Sequence, residues 1–207
     1  MTTPDIEREH WNSKAKMTDP MFEMWADKPN TVQCVNLLLE DLDPAIGATA
    51  KILEVGCGMG RLSQAVQDRF LNSTVYGVDI SRGLLDLAAK FGEQEIKLPV
   101  YLECDGRSLP DGVPTDLDYA YSMVVFQHIP NDVKKLYLQA VYDHLKVGGV
   151  FRFQLVEGDE QSDYNHHISQ KDIIDMCQDI GYEVQAADGK LMMQNWLWIT
   201  AVKVPTE

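Results

Sequence analysis

Short apolar runs and amphipathic stretches alternate along most of this 207-residue chain. Runs rich in β-branched and aromatic residues predict five strands, near residues 51–55, 74–79, 100–104, 117–123 and 149–156. Between them, apolar residues spaced for one face of a helix predict helices near residues 60–70, 82–91 and 131–145. Because strands alternate with helices, we expect an α/β fold with a mostly parallel sheet covered by helices on both faces.

The C-terminal part of the chain adds a loop, a helix and two further β-rich segments. Residues 157–163 are polar and unpatterned, which predicts a loop over the site. Ser169 is the expected N-cap of a helix that runs to about residue 180. The β-rich segments follow at 181–186 and 195–202.

The first predicted strand runs through Glu54 into glycines at alternate positions, Gly56, Gly58 and Gly60. Glycine has no β-carbon, so the backbone can turn sharply there and a ligand can approach it closely. The helix predicted after Gly60 would direct its first free N–H groups at the same ligand. We therefore expect a ligand-binding loop with an anionic group of the ligand near the start of this helix.

The spacing of these glycines separates three kinds of ligand. A phosphate-binding P-loop and the dinucleotide fingerprint both need other spacings, because the third glycine comes one residue early for Gly-x-Gly-x-x-Gly. The acidic-x-Gly-x-Gly-x-Gly pattern resembles the first motif of the class I S-adenosylmethionine-dependent methyltransferases. The resemblance implies S-adenosyl-L-methionine as cofactor, S-adenosyl-L-homocysteine as product, and cofactor contacts at Glu54, Gly56, Cys57, Gly58 and Gly60.

The second predicted strand ends in Asp79, 19 residues after Gly60. In a βαβ unit this strand ends beside the first, where a carboxylate can accept both hydroxyls of a ribose. We therefore interpret Asp79 as the ribose ligand and place Ile80 beside it. The alternative is that Asp79 only caps the next helix, whose start Ser81 signals.

Two later segments resemble the same family in order. The third strand ends in Asp105 and Gly106, and the resemblance implies that they meet the adenine ring, although an Asp-Gly pair also forms ordinary turns. Ser122 and Met123 close the fourth strand, which resembles the segment that lies beside the transferring methyl group. Residues 146–149 then resemble a turn with two glycines that leads into the fifth strand.

The resemblance implies a Rossmann-like three-layer αβα sandwich with a seven-stranded, mostly parallel sheet. Residues 181–186 and 195–202 would form its C-terminal antiparallel strand pair. We expect one domain over 1–207, with a helical lid or cap in 1–45 and the cofactor-binding core in 46–207. The lid is suggested by aromatic and thioether side chains in this segment, although the segment could equally be an extra packed helix. These side chains are Trp11, Met17, Met21, Phe22, Met24 and Trp25.

Charge and composition exclude several classes of partner molecule. The net charge of −14, without a basic cluster, argues against nucleic acid and favours neutral or cationic small molecules. No apolar run approaches 18 residues, and the polar N-terminus is unlike a signal peptide, so we expect a soluble cytoplasmic protein with no membrane partner. Four scattered cysteines argue against a metal site or disulfides. Nothing in the sequence indicates an oligomeric state.

Methyl transfer from a sulfonium needs a base only when the nucleophile is protonated. The candidates are His128, after the fourth strand, and His166, after the fifth, with Tyr164 and His167 beside it. Each histidine could instead be structural. The resemblance and the absence of an Asn/Asp-Pro-Pro-Tyr/Phe signature leave an oxygen or nitrogen nucleophile of a small molecule. A nicotinamide-dependent oxidoreductase and a non-catalytic S-adenosylmethionine-binding protein are the alternatives.

Overall fold

The structure of the chain is a computed structural model. It describes residues 3–16, 28–39, 49–91, 95–162, 165–189 and 196–205. Two compact units divide the chain, Met1–Gly106 and Arg107–Glu207.

The first unit contains the three strands and two helices predicted around the glycine loop, preceded by two further helices. The elements are α1 (Thr3–Lys14), α2 (Lys28–Leu38), β1 (Lys51–Val55), α3 (Arg61–Arg69), β2 (Thr74–Asp79), α4 (Arg82–Phe91) and β3 (Val100–Glu103). β1 pairs with β2 and β2 with β3, both in parallel. Parallel pairing brings the carboxyl ends of these strands to the same edge of the sheet, and the predicted cofactor-binding residues lie at those ends.

The second unit contains four strands and two long helices. They are β4 (Leu117–Ser122), α5 (Asn131–His144), β5 (Leu145–Val156), α6 (Gln170–Ile180), β6 (Tyr182–Gly189) and β7 (Trp196–Lys203), with a single 3₁₀ turn at Phe126–His128. β4 pairs in parallel with β5, whereas β5–β7 and β7–β6 are antiparallel.

Together the strands form a seven-stranded sheet in the order β3-β2-β1-β4-β5-β7-β6. The predicted fold class is therefore confirmed, including the seven-stranded, mostly parallel sheet and the antiparallel pair at the C-terminus. The inner strands β1, β2 and β4 are mostly buried, as expected of parallel strands with apolar runs that are covered on both faces, whereas the edge strand β3 has no buried residue. In β1, for example, Ile52, Leu53 and Val55 are all buried.

The fifth strand begins earlier than predicted. Residues 146–149 were expected to form a turn, but β5 starts at Leu145, which pairs with Leu117. The register then shifts, so that Val150 is the next paired residue, opposite Tyr119. This irregularity leaves no room for a side chain at Gly149, where a Cβ would lie 3.0 Å from the carbonyl oxygen of Leu117. The two glycines therefore serve a β-bulge rather than a turn between elements.

The start of α6 is as predicted. The N-cap is Ser169, whose hydroxyl accepts the N–H of Asp172 at 3.1 Å. Gly181 ends the helix with a φ of 113°, a conformation that glycine adopts without a Cβ clash.

The expected lid is only partly within the described residues. Helices α1 and α2 are observed, and Trp11 lies half-buried on α1, donating its indole N–H to Glu7 at 3.2 Å. Met17, Met21, Phe22, Met24 and Trp25 lie outside the described residues. The lid stays a prediction.

Candidate functional site

The glycine loop between β1 and α3 is tied to the end of β2. The N–H groups of Gly56 and Cys57 both donate to the carbonyl oxygen of Val78, at 2.8 and 3.0 Å. The N–H of Gly60 donates back to the carbonyl of Cys57 at 2.9 Å, which closes a tight turn. The loop is therefore held from both ends by backbone hydrogen bonds.

Two glycines of this loop are needed for different reasons. At Gly58 the φ is +53°, and a Cβ would meet no atom within 4 Å, so its side-chain direction is open space that a ligand could fill. At Gly60 a Cβ would instead overlap the ring of Tyr101, whose Cζ would be 2.7 Å away, and the methyl of Ala88 at 2.9 Å. Close approach to a ligand is thus supported at Gly58, whereas packing against Tyr101 explains Gly60.

Asp79, the candidate ribose ligand, accepts backbone hydrogen bonds on both of its carboxylate oxygens. Its Oδ2 accepts the N–H of Gly58 and its Oδ1 the N–H of Ser81, each at 2.8 Å. Burial raises the pKa of Asp79, and the hydrogen bonds from Ser81, Gly58 and Ile80 act in the opposite direction, since they favour the ionised form. The alternative of a simple helix cap does not describe this geometry, because Ser81 is the residue whose hydroxyl accepts the helical N–H of Leu84.

The turn after β3 lies beside Asp79. The carbonyl oxygen of Asp79 accepts the N–H of Cys104 at 2.9 Å. Asp105 follows with an exposed side chain, and Gly106 is buried with a φ of 83°. The first unit therefore brings Gly58, Asp79 and the Asp105–Gly106 turn together.

Glu54 is buried at the end of β1, where Ser63 of α3 donates its hydroxyl to Oε2. The start of α3 has no side-chain cap within the described residues. A helix start of this kind suits an anionic ligand group. Neighbouring Cys57 is buried, and burial with the nearby Asp79 and Glu54 raises the pKa of its thiol, so it is an inert neutral group.

In the second unit, the chain turns abruptly after Ser122 and Met123, both of which are buried. Val124 has a φ of +60°, a left-handed conformation that is costly for a β-branched residue. The N–H of Val124 donates to the side-chain oxygen of Gln154 on β5 at 2.9 Å. Such strain persists where the surroundings hold it, and it is concentrated at functional sites.

The structure brings the segment of His128 together with that of His166. His128 is half-buried at the end of the 3₁₀ turn, and the carbonyl of its neighbour Gln127 accepts the N–H of His166 at 2.6 Å. The side-chain oxygen of Gln127 is buried without a hydrogen-bond partner among the described residues. His166 also contacts Gln161 through Nδ1 at 3.3 Å. A backbone hydrogen bond thus joins the segments that carry the two predicted histidines.

Lys134 on α5 connects these segments, and sequence reasoning missed it. Its fully buried ammonium donates to the carbonyl of Ile129 at 2.8 Å, to Oδ1 of Asn131 at 2.7 Å and to the carbonyl of His166. Burial lowers its pKa to about 7. A signal was present, since Lys134 occupies the same helical stripe as the buried Leu138.

Residues 157–168 form an ordered connection in their described part. The N–H of His167 donates to the carbonyl of Glu160 at 2.9 Å, and His167 Nδ1 lies 3.9 Å from the carboxylate of the same residue. Tyr164, a further candidate, lies outside the described residues. All four cysteines are buried, and none of them is in a disulfide.

Within the described ranges, no three His, Cys, Asp or Glu side chains are grouped so that they could hold a metal ion. Nor is any helix among the described residues both long and apolar enough to cross a membrane.

Residues 52–149 match the profile of a methyltransferase domain. The chain is 27% identical over 127 residues to a trans-aconitate 2-methyltransferase of Rhodopseudomonas palustris, an alignment covering 61% of this chain and 45% of that protein. It is 27% identical over 158 residues to a ubiquinone biosynthesis O-methyltransferase of Coxiella burnetii, covering 74% and 65%. The chain therefore spans less than two thirds of the length of these curated relatives.

A solved structure similar to this fold is magnesium protoporphyrin IX methyltransferase from Synechocystis, with bound S-adenosylhomocysteine. The TM-score is 0.74, and the match covers 96% of this chain and 99% of that one. The sequences are only 16% identical, so this likeness concerns the fold.

Proposed function

Because the chain is a member of the class I S-adenosylmethionine-dependent methyltransferase family through the methyltransferase domain at residues 52–149, we propose that it methylates a small molecule. The methyl group of S-adenosyl-L-methionine would pass to an oxygen or nitrogen nucleophile by in-line displacement, with release of S-adenosyl-L-homocysteine.

The observation that carries this proposal is the hydrogen bond from the N–H of Gly58 to Asp79. It joins an open glycine position to a strand-end carboxylate that is already surrounded by backbone donors. An ionised carboxylate with two oxygens can accept the two hydroxyls of a ribose in addition to these N–H groups. Gly58 and Asp79 therefore suit a nucleoside whose ribose binds Asp79 and whose methionine part passes over Gly58.

Other groups of the first unit complete the fit to the cofactor. Asp105 is exposed beside Asp79 and could accept from the adenine amino group, with the backbone of Gly106 against the ring. The uncapped start of α3 suits the carboxylate of the methionine part. When bound, the cofactor supplies a sulfonium-activated methyl group, and the chain holds it and excludes water.

A protonated nucleophile requires a base, and His128 and His166 are the proposed candidates. Imidazole accepts a proton near neutral pH, so either ring could take the proton that the nucleophile loses as its bond to carbon forms. The strained turn at Val124 precedes His128 by four residues and would fix where that segment begins.

The charge of the chain favours some acceptors over others. A net charge of −14 disfavours nucleic acids and multiply charged anions and suits neutral or cationic molecules. Of the two curated relatives, one is named for a carboxylate acceptor and the other for O-methylation in ubiquinone biosynthesis. We propose a neutral hydroxylated or amine acceptor rather than trans-aconitate.

The proposal is tested with S-adenosylmethionine carrying a labelled methyl group. Wild-type protein would be incubated with a deproteinised metabolite extract, and separately with catechol, phosphoethanolamine, trans-aconitate and RNA. We expect label in small molecules of the extract and little in RNA or trans-aconitate. Label confined to RNA would contradict the substrate class, and binding of the cofactor without any labelled product would contradict catalysis.

A further inference from the structure

Hydrogen bonds connect helix α1 to the carboxylate of Asp79. The side-chain oxygen of Asn12 accepts from the hydroxyl of Ser81 at 2.8 Å and from the N–H of Gly83 at 3.2 Å. Ser81 donates its own N–H to Oδ1 of Asp79, and Oδ2 of Asp79 accepts from Gly58. Asn12 is therefore linked to the glycine loop through two intervening residues.

The contact between α1 and α4 also depends on Gly83. A Cβ at Gly83 would lie 3.0 Å from the Cβ of Ala15 and 3.4 Å from the side-chain oxygen of Asn12. The first distance is shorter than an ordinary van der Waals contact and the second is at its lower limit, so α1 would have to move by a few tenths of an ångström. This glycine allows α1 to approach α4.

Asn12 does for α4 what an N-cap residue ordinarily does within its own helix. The first N–H groups of a helix need acceptors from outside the helical ladder. The hydroxyl of Ser81 accepts one from Leu84, and Asn12, 71 residues away in sequence, accepts another from Gly83. Since Ser81 is fully buried, the position of its N–H toward Asp79 depends on these bonds.

We infer that Asn12 is a positioning residue for the cofactor site, acting through Ser81 on Asp79. The inference rests on the proposed function, because it assigns Asn12 a role in holding S-adenosyl-L-homocysteine through Ser81 and Asp79. Docking of α1 and cofactor binding are then coupled, since both need Ser81 in the same position.

The test is isothermal titration of S-adenosyl-L-homocysteine into full-length variants. Asn12→Leu removes the acceptor and should weaken binding about 5- to 30-fold, the equivalent of one to two lost hydrogen bonds. Asn12→Asp keeps an oxygen acceptor and should bind within about 3-fold of wild type. Ser13→Ala is the matched control, because Ser13 is exposed on the same helix and, among the described residues, its hydroxyl donates to the carbonyl of His10 alone. The affinity of this variant should not change.

A second variant guards against a folding defect in Asn12→Leu. Gly83→Ala places a better helix former in α4, which ordinarily stabilises a helix. Here it should weaken binding because it displaces α1, and Ala15→Gly in the same chain should restore part of the loss by removing the opposing Cβ. Unfolding midpoints without ligand, measured on every variant, separate a general loss of stability from a loss of affinity.

Each outcome has a distinct meaning. If wild-type protein gives no binding heat, the proposed function fails and this inference fails with it. If wild type binds and Asn12→Leu binds equally well, only the inference is overturned. Weaker binding by Asn12→Asp as well as by Asn12→Leu would also overturn it, because the acceptor oxygen would then not be the relevant feature.

Discussion

Asp79 in the first unit and Lys134 in the second are both buried charged side chains with hydrogen-bond partners, but different groups surround them. In the first unit the carboxylate of Asp79 is surrounded by backbone N–H groups, one of them from a glycine with positive φ. In the second the ammonium of Lys134 is surrounded by oxygens, two of which are backbone carbonyls. A positive φ favours glycine, so the first arrangement is marked in the sequence by a spacing of glycines. Any residue supplies a carbonyl, so the second is marked only by a lysine in the apolar stripe of α5.

The difference suggests a division of tasks between the units. The residues proposed to bind the cofactor lie mostly in the first, whereas the candidate bases and the buried lysine lie in the second. Variants of the second unit should then change turnover or stability with little effect on cofactor affinity, and variants of the first should change that affinity.

The largest expected effect is at His128. If it is the general base, His128→Ala should lower turnover by ~10²–10⁴-fold, and the acidic limb of the pH–rate profile should disappear. The affinity for S-adenosylhomocysteine should stay within about 3-fold of wild type. These values come from steady-state rates on the acceptor found by the labelled-methyl assay and from calorimetry.

His144→Ala is the control, because His144 ends α5 and contacts the carbonyl of Ala140. His166→Ala measured alongside shows which of the two candidate histidines matters. Full turnover in His128→Ala at every pH would return His128 to a structural role.

The next effect is at Gly58. Gly58→Val places a side chain in the open space over the loop and should weaken S-adenosylhomocysteine binding more than ~100-fold, since ~2.8 kcal/mol of contact would be lost. Gly148→Val is a matched control in the second unit, because Gly148 also has a positive φ and open space around its Cβ. If Gly148→Val loses as much affinity as Gly58→Val, backbone strain rather than cofactor approach would explain the loss.

A smaller effect concerns the buried lysine. Lys134→Met leaves three oxygens without their donor and should lower the free energy of unfolding by ~1–3 kcal/mol, after partial compensation for the removal of a buried charge. Lys135→Met, at the exposed neighbouring position, should change it by less than ~0.5 kcal/mol. Urea denaturation measures both, and a Lys134→Met variant as stable as Lys135→Met would rule out the stabilising role.

The same lysine gives a pH dependence of stability. Its pKa is lowered from 10.5 to about 7 in the folded protein, so the unfolded chain binds more protons between these pH values. The contribution of Lys134 to the free energy of unfolding should therefore rise with pH from about 7 toward 10.5. Urea denaturation at pH 7, 8 and 9 should give a steeper rise for wild type than for Lys134→Met; parallel slopes would contradict the lowered pKa.

The fold was predictable because strand-forming runs, helix periodicity and glycine spacing are local signals. The alternation of strands and helices around Gly58 and Asp79 and the N-cap at Ser169 followed from such signals, whereas the C-terminal strand pair was implied by the family resemblance. The start of β5 did not, because a bulge depends on pairing between Leu145 and Leu117, which is not visible along the chain.

The site was only partly predictable, for the same physical reason. Glu54, Gly58 and Asp79 stand in a recognisable spacing, and the structure brings Gly58 and Asp79 into contact. Asn12 binds Ser81 and Gln154 binds Val124, across 69 and 30 residues of sequence. No local sequence pattern indicates such distant pairings. Gln154 at least interrupts an apolar strand, which is a signal of a buried polar role.

The central claim is that Asp79 and the glycine loop bind S-adenosylmethionine, and calorimetry with S-adenosylhomocysteine tests it most directly. Wild type should bind this ligand and give no heat with NAD. Asp79→Ala should lose ~1.5–3 kcal/mol, or about 10- to 100-fold in affinity, the range for hydrogen bonds to a charged group. A folded Asp79→Ala protein with an unchanged dissociation constant, or a wild type that binds NAD instead, would contradict the account.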